Sequence, residues 1–104
     1  VEDLVVGTGD PVESGDTVTV HYLGSLTDGT VFDASWRRGM PFTTTIGVGM
    51  VIPGWDQGIV GMREGGRRLL KIPSDLAYGE RGSGAAIPPD TPLLFVVDLI
   101  RIQS

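Results

Sequence analysis

The sequence predicts an α+β fold built on an antiparallel sheet. Three observations carry this: apolar residues recur with a period of two in several short segments, a single stretch shows helical spacing, and glycine-rich turns join the segments with no helical crossover between strands. Gly accounts for 16 of 104 residues, which suits many tight turns and little long helix. At this length the chain is expected to form one domain, residues 1–104.

Residues 17–23 alternate, with Val18, Val20 and Tyr22 on one face, as in a half-buried strand. Thr27-Asp28-Gly29-Thr30 then makes a hairpin turn, because Asp-Gly accepts positive φ, and Val31-Phe32-Asp33 resumes extended structure. Phe42-Thr43-Thr44-Thr45-Ile46 is rich in β-branched residues and reads as a strand. The helix is expected from Pro53, a residue suited to the first helical position, with Trp55, Ile59 and Met62 following at i, i+4 and i+7. Gly54, Gly58 and Gly61 share that spacing. Each interior Gly costs about 1 kcal/mol relative to Ala, so this helix must be short and held by packing. Gly65-Gly66 turns the chain into a strand over 67–72, with Leu70 and Ile72 on one face. Residues 73–92 follow neither period, yet contain Leu76, Tyr78, Ile87 and the pair Pro88-Pro89. A loop that long and that apolar is expected to be functional. Residues 93–102 form the strongest strand. Leu93, Phe95, Val97 and Leu99 line one side, and Leu94, Val96 and Ile100 make the other side apolar too, so the strand is expected at the centre of the sheet.

Composition removes several function classes. There is no cysteine, hence no disulfide, thiolate metal site or thiol catalysis, and no asparagine, hence no N-glycosylation sequon. The net charge of −5 is the wrong sign for a nucleic-acid footprint. Residues 1–36 hold seven acids and no Lys or Arg, whereas residues 37–81 hold seven bases and four acids; a solvated face is the simplest reading of this asymmetry. The longest apolar run covers residues 93–97, far below the ~20 residues of a membrane-spanning helix. No basic, then apolar, leader opens the chain. A soluble monomer is expected, with a cytoplasmic location favoured and a secreted or anchored form open if a leader preceded Val1.

Familiar catalytic motifs are missing. Gly47-Val48-Gly49-Met50-Val51-Ile52 begins like a dinucleotide fingerprint but ends on Ile52, and Gly82-Ser83-Gly84-Ala85-Ala86-Ile87 fails in the same way. The only lysine is Lys71, outside any phosphate-loop pattern. The sole histidine, His21, lies mid-strand and cannot build a zinc site alone. No cofactor or metal is expected. The seven aromatics are more informative, because they come from strands, helix and long loop alike. Filling a core would explain them, but Trp and Tyr carry polar groups that need partners when buried. Trp55 also opens a glycine-rich helix, where backbone can approach a ligand closely.

The string Val20-His21-Tyr22-Leu23-Gly24, followed by Asp28-Gly29-Thr30-Val31-Phe32-Asp33-Ala34-Ser35, resembles the opening of the FKBP-type peptidyl-prolyl isomerases. Pro41-Phe42, Ile46-Gly47, Val51-Ile52-Pro53-Gly54-Trp55-Asp56 and Gly61-Met62 continue the resemblance in register. So do Ile72-Pro73, Tyr78-Gly79, Ile87-Pro88-Pro89 and Leu93-Leu94-Phe95, so that it runs from about Leu4 to Ile102. The resemblance implies a twisted antiparallel sheet wrapped around one short helix, with an aromatic pocket between them. It places Trp55 as the floor under a prolyl ring, with Tyr22, Phe32, Phe42 and Phe95 as walls. Tyr78 would close one side, offering its hydroxyl. Val51 and Ile52 would form the rim, with the Ile52 N–H as a donor, Met50 would contact ligand through its backbone, and Ile87 would belong to an overhanging loop. Asp33 would be the one buried carboxylate, held by Arg38.

The activity implied is cis–trans isomerisation of X–Pro bonds in polypeptides, in support of protein folding, by desolvation and without acid, base or metal. Macrolides of the rapamycin type are implied ligands. A docking module in which turnover is incidental, or a purely structural domain, would be signalled by loss of Trp55, Phe32 or Asp33, and all three are present. Two departures bear on ligands. Met50 stands where many members carry Glu or Gln, and Ser83, Ala85 and Ala86 make the loop tip small. Trp36 has no counterpart in the resemblance. Either it stacks on Arg37 or Arg38, or it extends the apolar surface beside the pocket toward residues flanking the substrate proline.

Overall fold

The computed structural model describes residues 1–84 and 86–103. Six strands form one antiparallel sheet: β1 (Glu2–Val5), β2 (Thr17–Leu26), β3 (Val31–Ala34), β4 (Phe42–Thr45), β5 (Arg67–Ile72) and β6 (Leu93–Gln103). Their order is β1-β5-β6-β2-β3, with β4 also on β2. β3 and β4 share one edge of β2, pairing with residues 23–25 and 17–20 of it respectively. Between them the chain makes a single helical turn, α1 (Ser35–Arg38), closed by Gly39 at φ 67°, which donates its N–H to the Trp36 carbonyl. The second helix, α2 (Pro53–Gly58), crosses the inner face of the sheet and carries Trp55.

The period-two segments are the core strands. Val18, Val20, Tyr22, Leu70, Ile72, Leu93, Phe95, Val97 and Leu99 are buried and face α2 with its extension Ile59 and Met62. Burying one such side chain is worth about 1.5–3 kcal/mol, which is what holds so short a helix in place. The α2 glycines permit the approach. A Cβ on Gly54 would lie 2.5 Å from Ile72, and one on Gly58 would lie 2.9 Å from Leu70. Helical geometry ends at Gly58 with Ile59 as cap, so Met62 reaches the core from the following turn and not from the helix.

β6 does lie at the centre, hydrogen-bonded to β5 and β2. Its outer face, however, is only partly covered among the described residues. Leu94 and Val96 are half-buried and Ile100 is exposed, so the apolar residues on that side mark no second layer. Ile100 is also the extra residue of a bulge, since Leu99 pairs with Val20 and Arg101 with Thr19. The bulge shifts the alternation and turns Ile102 back toward the core.

Two elements have no sequence signature. All four side chains of β1 are exposed, so the strand shows no alternation. α1 is one turn, too short for a helical period. The long loop after β5 contains two 3-10 turns, Ser74–Leu76 and Gly79–Arg81, and a bridge between Ser83 and Ile87. Ile87 anchors it in the core. Ala85, counted in the small loop tip, lies outside the described residues.

Candidate active site

The inner face of the sheet, α2 and the two loops beside them enclose a cavity of about 430 Å³. Trp55 forms its floor. Three rings stand nearly perpendicular to the indole: Tyr22 at 81° and 5.1 Å, Phe95 at 87° and 5.3 Å, and Phe42 at 73° and 6.1 Å between centroids. Phe32 continues the wall, edge-on to Phe95 at 5.5 Å. Edge-to-face contacts of this kind fix ring orientation and add about 0.5–1.5 kcal/mol each to burial. The rings therefore form a rigid box and not a loose apolar patch. The Trp55 indole N–H is buried and has no acceptor among the described residues.

The other lining residues are Asp33, Met50, Val51, Ile52 and Tyr78. Phe42, Met50 and Tyr78 are exposed and form the mouth. The Ile52 N–H has no backbone partner among the described residues; as the N-cap of α2, Ile52 contributes its carbonyl to the first helix bonds.

One polar cluster borders this box. The Tyr22 hydroxyl donates to Asp33 Oδ2 at 2.6 Å and accepts from Arg38 Nη2 at 2.6 Å, while Arg38 Nη1 donates to Asp33 Oδ1 at 2.8 Å. The Asp33 side chain is 41% exposed, so it is not the buried carboxylate the resemblance implied. It lies at the end of β3, on the sheet edge, with its charge spread onto Arg38 and into solvent. Partial desolvation pushes the Asp33 carboxyl up. Hydrogen bonds from Tyr22 and Arg38, together with the Arg38 charge, outweigh that and hold it below the usual carboxylate range. Desolvation and the bond to Asp33 push the Tyr22 phenol up.

Comparison with known proteins then decides the family. The family model described as FKBP-type peptidyl-prolyl cis-trans isomerase matches residues 9–100. This chain belongs to that family. An FK506-binding protein of Neisseria meningitidis is 51% identical over 104 residues, covering 100% of this chain and 95% of the relative. The peptidyl-prolyl cis-trans isomerase FPR2 of Saccharomyces cerevisiae is 56% identical over 91 residues, covering 86% of this chain and 67% of the relative. The crystal structure of AtFKBP13 superposes with a TM-score of 0.91 at 46% identity, over 97% of this chain and 90% of that one.

Within this FKBP-type fold, all the aromatics foreseen for the pocket line one cavity, together with Asp33, Met50, Val51 and Ile52. Two residues foreseen there do not line it. The Ile87 side chain is buried in the core, because an isobutyl-sized group gains more from apolar contact than from overhanging water. Arg38 reaches only the outer side of the cluster, through Tyr22 and Asp33.

Trp36 is 56% exposed and lies flat on His21, with centroids 3.7 Å apart and planes at 13°. Its partner is thus neither Arg37 nor Arg38. His21 alternates with Tyr22 along β2, which puts the stack on the face away from the cavity and removes the idea that Trp36 widens the pocket. Ser35 joins the two faces: its hydroxyl accepts the Tyr22 N–H at 2.7 Å and lies 2.8 Å from His21 Nδ1.

Two supporting residues escaped the reading of motifs. Asp56 accepts from the Gly47 N–H at 2.8 Å and the Gly49 N–H at 3.0 Å, and so ties the rim segment to α2. Gly24 lies behind the wall, where a Cβ would meet Phe32 and Phe95 at 2.7 Å each. Both stand inside the quoted motifs, but a motif does not say what a glycine leaves room for.

Proposed function

We propose that this FKBP-type isomerase turns over X–Pro bonds of polypeptide substrates in the Trp55 cavity by desolvation, and that the same cavity takes macrolides of the rapamycin type. The observation that supports this is the aromatic box itself: an apolar floor with near-perpendicular ring walls lining a cavity of about 430 Å³. The reaction makes and breaks no covalent bond. It rotates an amide over a barrier of about 18–20 kcal/mol, in tens to hundreds of seconds when unassisted. In the twisted state resonance is lost, charge separation falls and nitrogen becomes pyramidal. An apolar box favours that form over the planar amide, which is better solvated in water. Ring C–H edges of Tyr22, Phe32 and Phe95 can cradle the displaced carbonyl oxygen, at about 0.5–1 kcal/mol each, and the free Ile52 N–H can hold a neighbouring carbonyl. A thousandfold acceleration needs only about 4 kcal/mol in total. A protease-coupled or NMR exchange assay on an X–Pro peptide tests the reading directly; a rate equal to that of the free peptide would overturn it.

Rotation without proton transfer makes the rate insensitive to pH. Asp33, the lining carboxyl, is held below its ordinary value and Tyr22 above its own, so neither changes charge between about pH 6 and about pH 9. The kcat/KM profile is expected to be flat over that range. A bell with a defined pKa would point to general acid–base catalysis instead.

Macrolide binding is expected to quench Trp55 fluorescence, measured in a Trp36→Phe background because Trp36 would otherwise add to the signal. The Ile52 N–H, the Tyr78 hydroxyl and Asp33 supply the polar partners for such ligands. No quench at micromolar ligand would mean that the cavity does not admit them.

A further inference from the structure

β2 is paired along one edge by two different strands, and the pairing has a gap. Its ladder with β3 ends at Leu23 opposite Ala34, and its ladder with β4 begins at Val20 opposite Phe42. Tyr22 falls between them. The β3 register would set Ser35 opposite Tyr22, but at Ser35 the chain leaves the sheet and enters α1. The Ser35 side chain takes the missing place. Its hydroxyl accepts the Tyr22 N–H at 2.7 Å and lies 3.3 Å from the Tyr22 carbonyl, the two groups a ladder residue would have paired. Ser35 is 0% exposed, so water does not compete for these bonds.

We propose that Ser35 is a positioning residue for the isomerisation: it fixes the Tyr22 backbone at the break between β3 and β4, and so sets the ring edge and hydroxyl that Tyr22 presents to the cavity. The inference rests on the Trp55 cavity being the X–Pro site. Tyr22 must meet two marks at once. Its ring stands at 81° to the Trp55 indole, and its hydroxyl lies 2.6 Å from both Asp33 Oδ2 and Arg38 Nη2. Asp33 and Arg38 flank Ser35 in the chain, so one hydroxyl ties Tyr22 to the segment that carries both of its partners. Without it the Tyr22 N–H would have to move to find an acceptor. His21 does not disturb the tie. A neutral His21 can take the Ser35 proton on Nδ1, 2.8 Å away; a protonated His21 donates from Nδ1 and that proton turns to the Tyr22 carbonyl. The Tyr22 N–H keeps its acceptor in both states. The Tyr22 ring edge meets the displaced carbonyl oxygen only in the twisted amide, so misplacing it lowers kcat and leaves KM.

The unaltered chain gives the first test. By NMR hydrogen exchange its Tyr22 amide is expected to exchange as slowly as the laddered amides of β2; exchange at the rate of an open edge amide would overturn the proposal. Ser35→Ala gives the second. On an X–Pro peptide kcat is expected to fall about fivefold with KM nearly constant. The Tyr22 phenol, followed by NMR on ring-labelled tyrosine, is expected to titrate closer to its ordinary range, because the burial and the Asp33 bond that push it up both depend on its place. A merely structural serine would lower Tm and move neither. His21→Ala removes the other neighbour of the hydroxyl and is expected to leave kcat unchanged. An unchanged kcat or an unmoved phenol titration in Ser35→Ala, or an equal loss of kcat in His21→Ala, would each overturn the proposal. Phe32→Ala, assayed alongside, separates the two readings. If it leaves turnover intact, the cavity assignment fails; if it cuts turnover while Ser35→Ala is silent, only the present inference fails.

Discussion

Replacing Phe32 with alanine is expected to lower kcat/KM at least about tenfold, a loss of about 1.4 kcal/mol of transition-state stabilisation, while the protein stays folded. The fold tolerates the change because Phe32 is only half-buried and packs against the core from the short edge strand β3. Activity does not, because Phe32 stands edge-on to Phe95 and completes the wall on that side of the cavity. Circular dichroism and a thermal melt report the fold, and the peptide assay reports the site. A companion variant removes no aromatic at all. Gly24→Ala places a methyl within 2.7 Å of both Phe32 and Phe95, so the rings must tilt. It should lower kcat/KM in the same direction. Unchanged activity in both variants would move the reaction away from this wall.

Arg68→Ala is expected to cost about 2–4 kcal/mol of stability. The Arg68 side chain is 9% exposed and fully engaged. Its Nη1 donates to the carbonyls of Gly58 and Val60 at 2.8 and 2.9 Å, where α2 ends, and its Nε donates to Asp3 of β1 at 2.6 Å. One guanidinium therefore closes the C-terminal end of the helix that bears Trp55 and ties the first strand to the sheet. Alanine leaves two carbonyls without a donor in a place water reaches poorly. For a domain of this size, 1 kcal/mol moves Tm by about 4–8 °C, so a fall of at least about 10 °C is expected in a thermal melt. A fall of a few degrees would mean that water replaces the guanidinium.

Asp3→Asn should cost much less, because the Asp3 side chain is 42% exposed. The hydrogen bond from Arg68 holds the Asp3 carboxyl below its ordinary value of 3.8. A depressed folded-state pKa stabilises above the unfolded value and is lost as pH falls through the folded one. Its contribution should therefore be intact at neutral pH and disappear only in acid.

The sequence alone carried the strands whose inner faces are buried, because a period of two is the imprint of one-sided burial and needs no knowledge of the partner. Val18, Val20 and Tyr22 on β2, and Leu93 to Leu99 on β6, could be read in this way. Pro53 announced α2 for an equally local reason, its fixed φ and missing N–H. The motif string from Val20 to Phe95 pointed to the family and to the residues that meet around Trp55. What tertiary structure decided is what lies against each residue, which depends on chain far away in sequence. β1 has four exposed side chains and exists through its ladder to β5 and the Asp3–Arg68 pair. The outer face of β6 looked as apolar as its inner face, yet Leu94 and Val96 there are only half-buried and Ile100 is exposed. The resemblance implied a buried Asp33, but the edge position of β3 leaves it open to water. The resemblance put Ile87 on an overhanging loop, and its side chain packs in the core beside the Ser83 bridge. Trp36 found His21 only because α1 folds back over β2. Periodicity records how one element divides between core and solvent; the depth of a carboxylate, the room behind a wall and the partner of a stray indole are set by packing between elements, to which no local pattern has access.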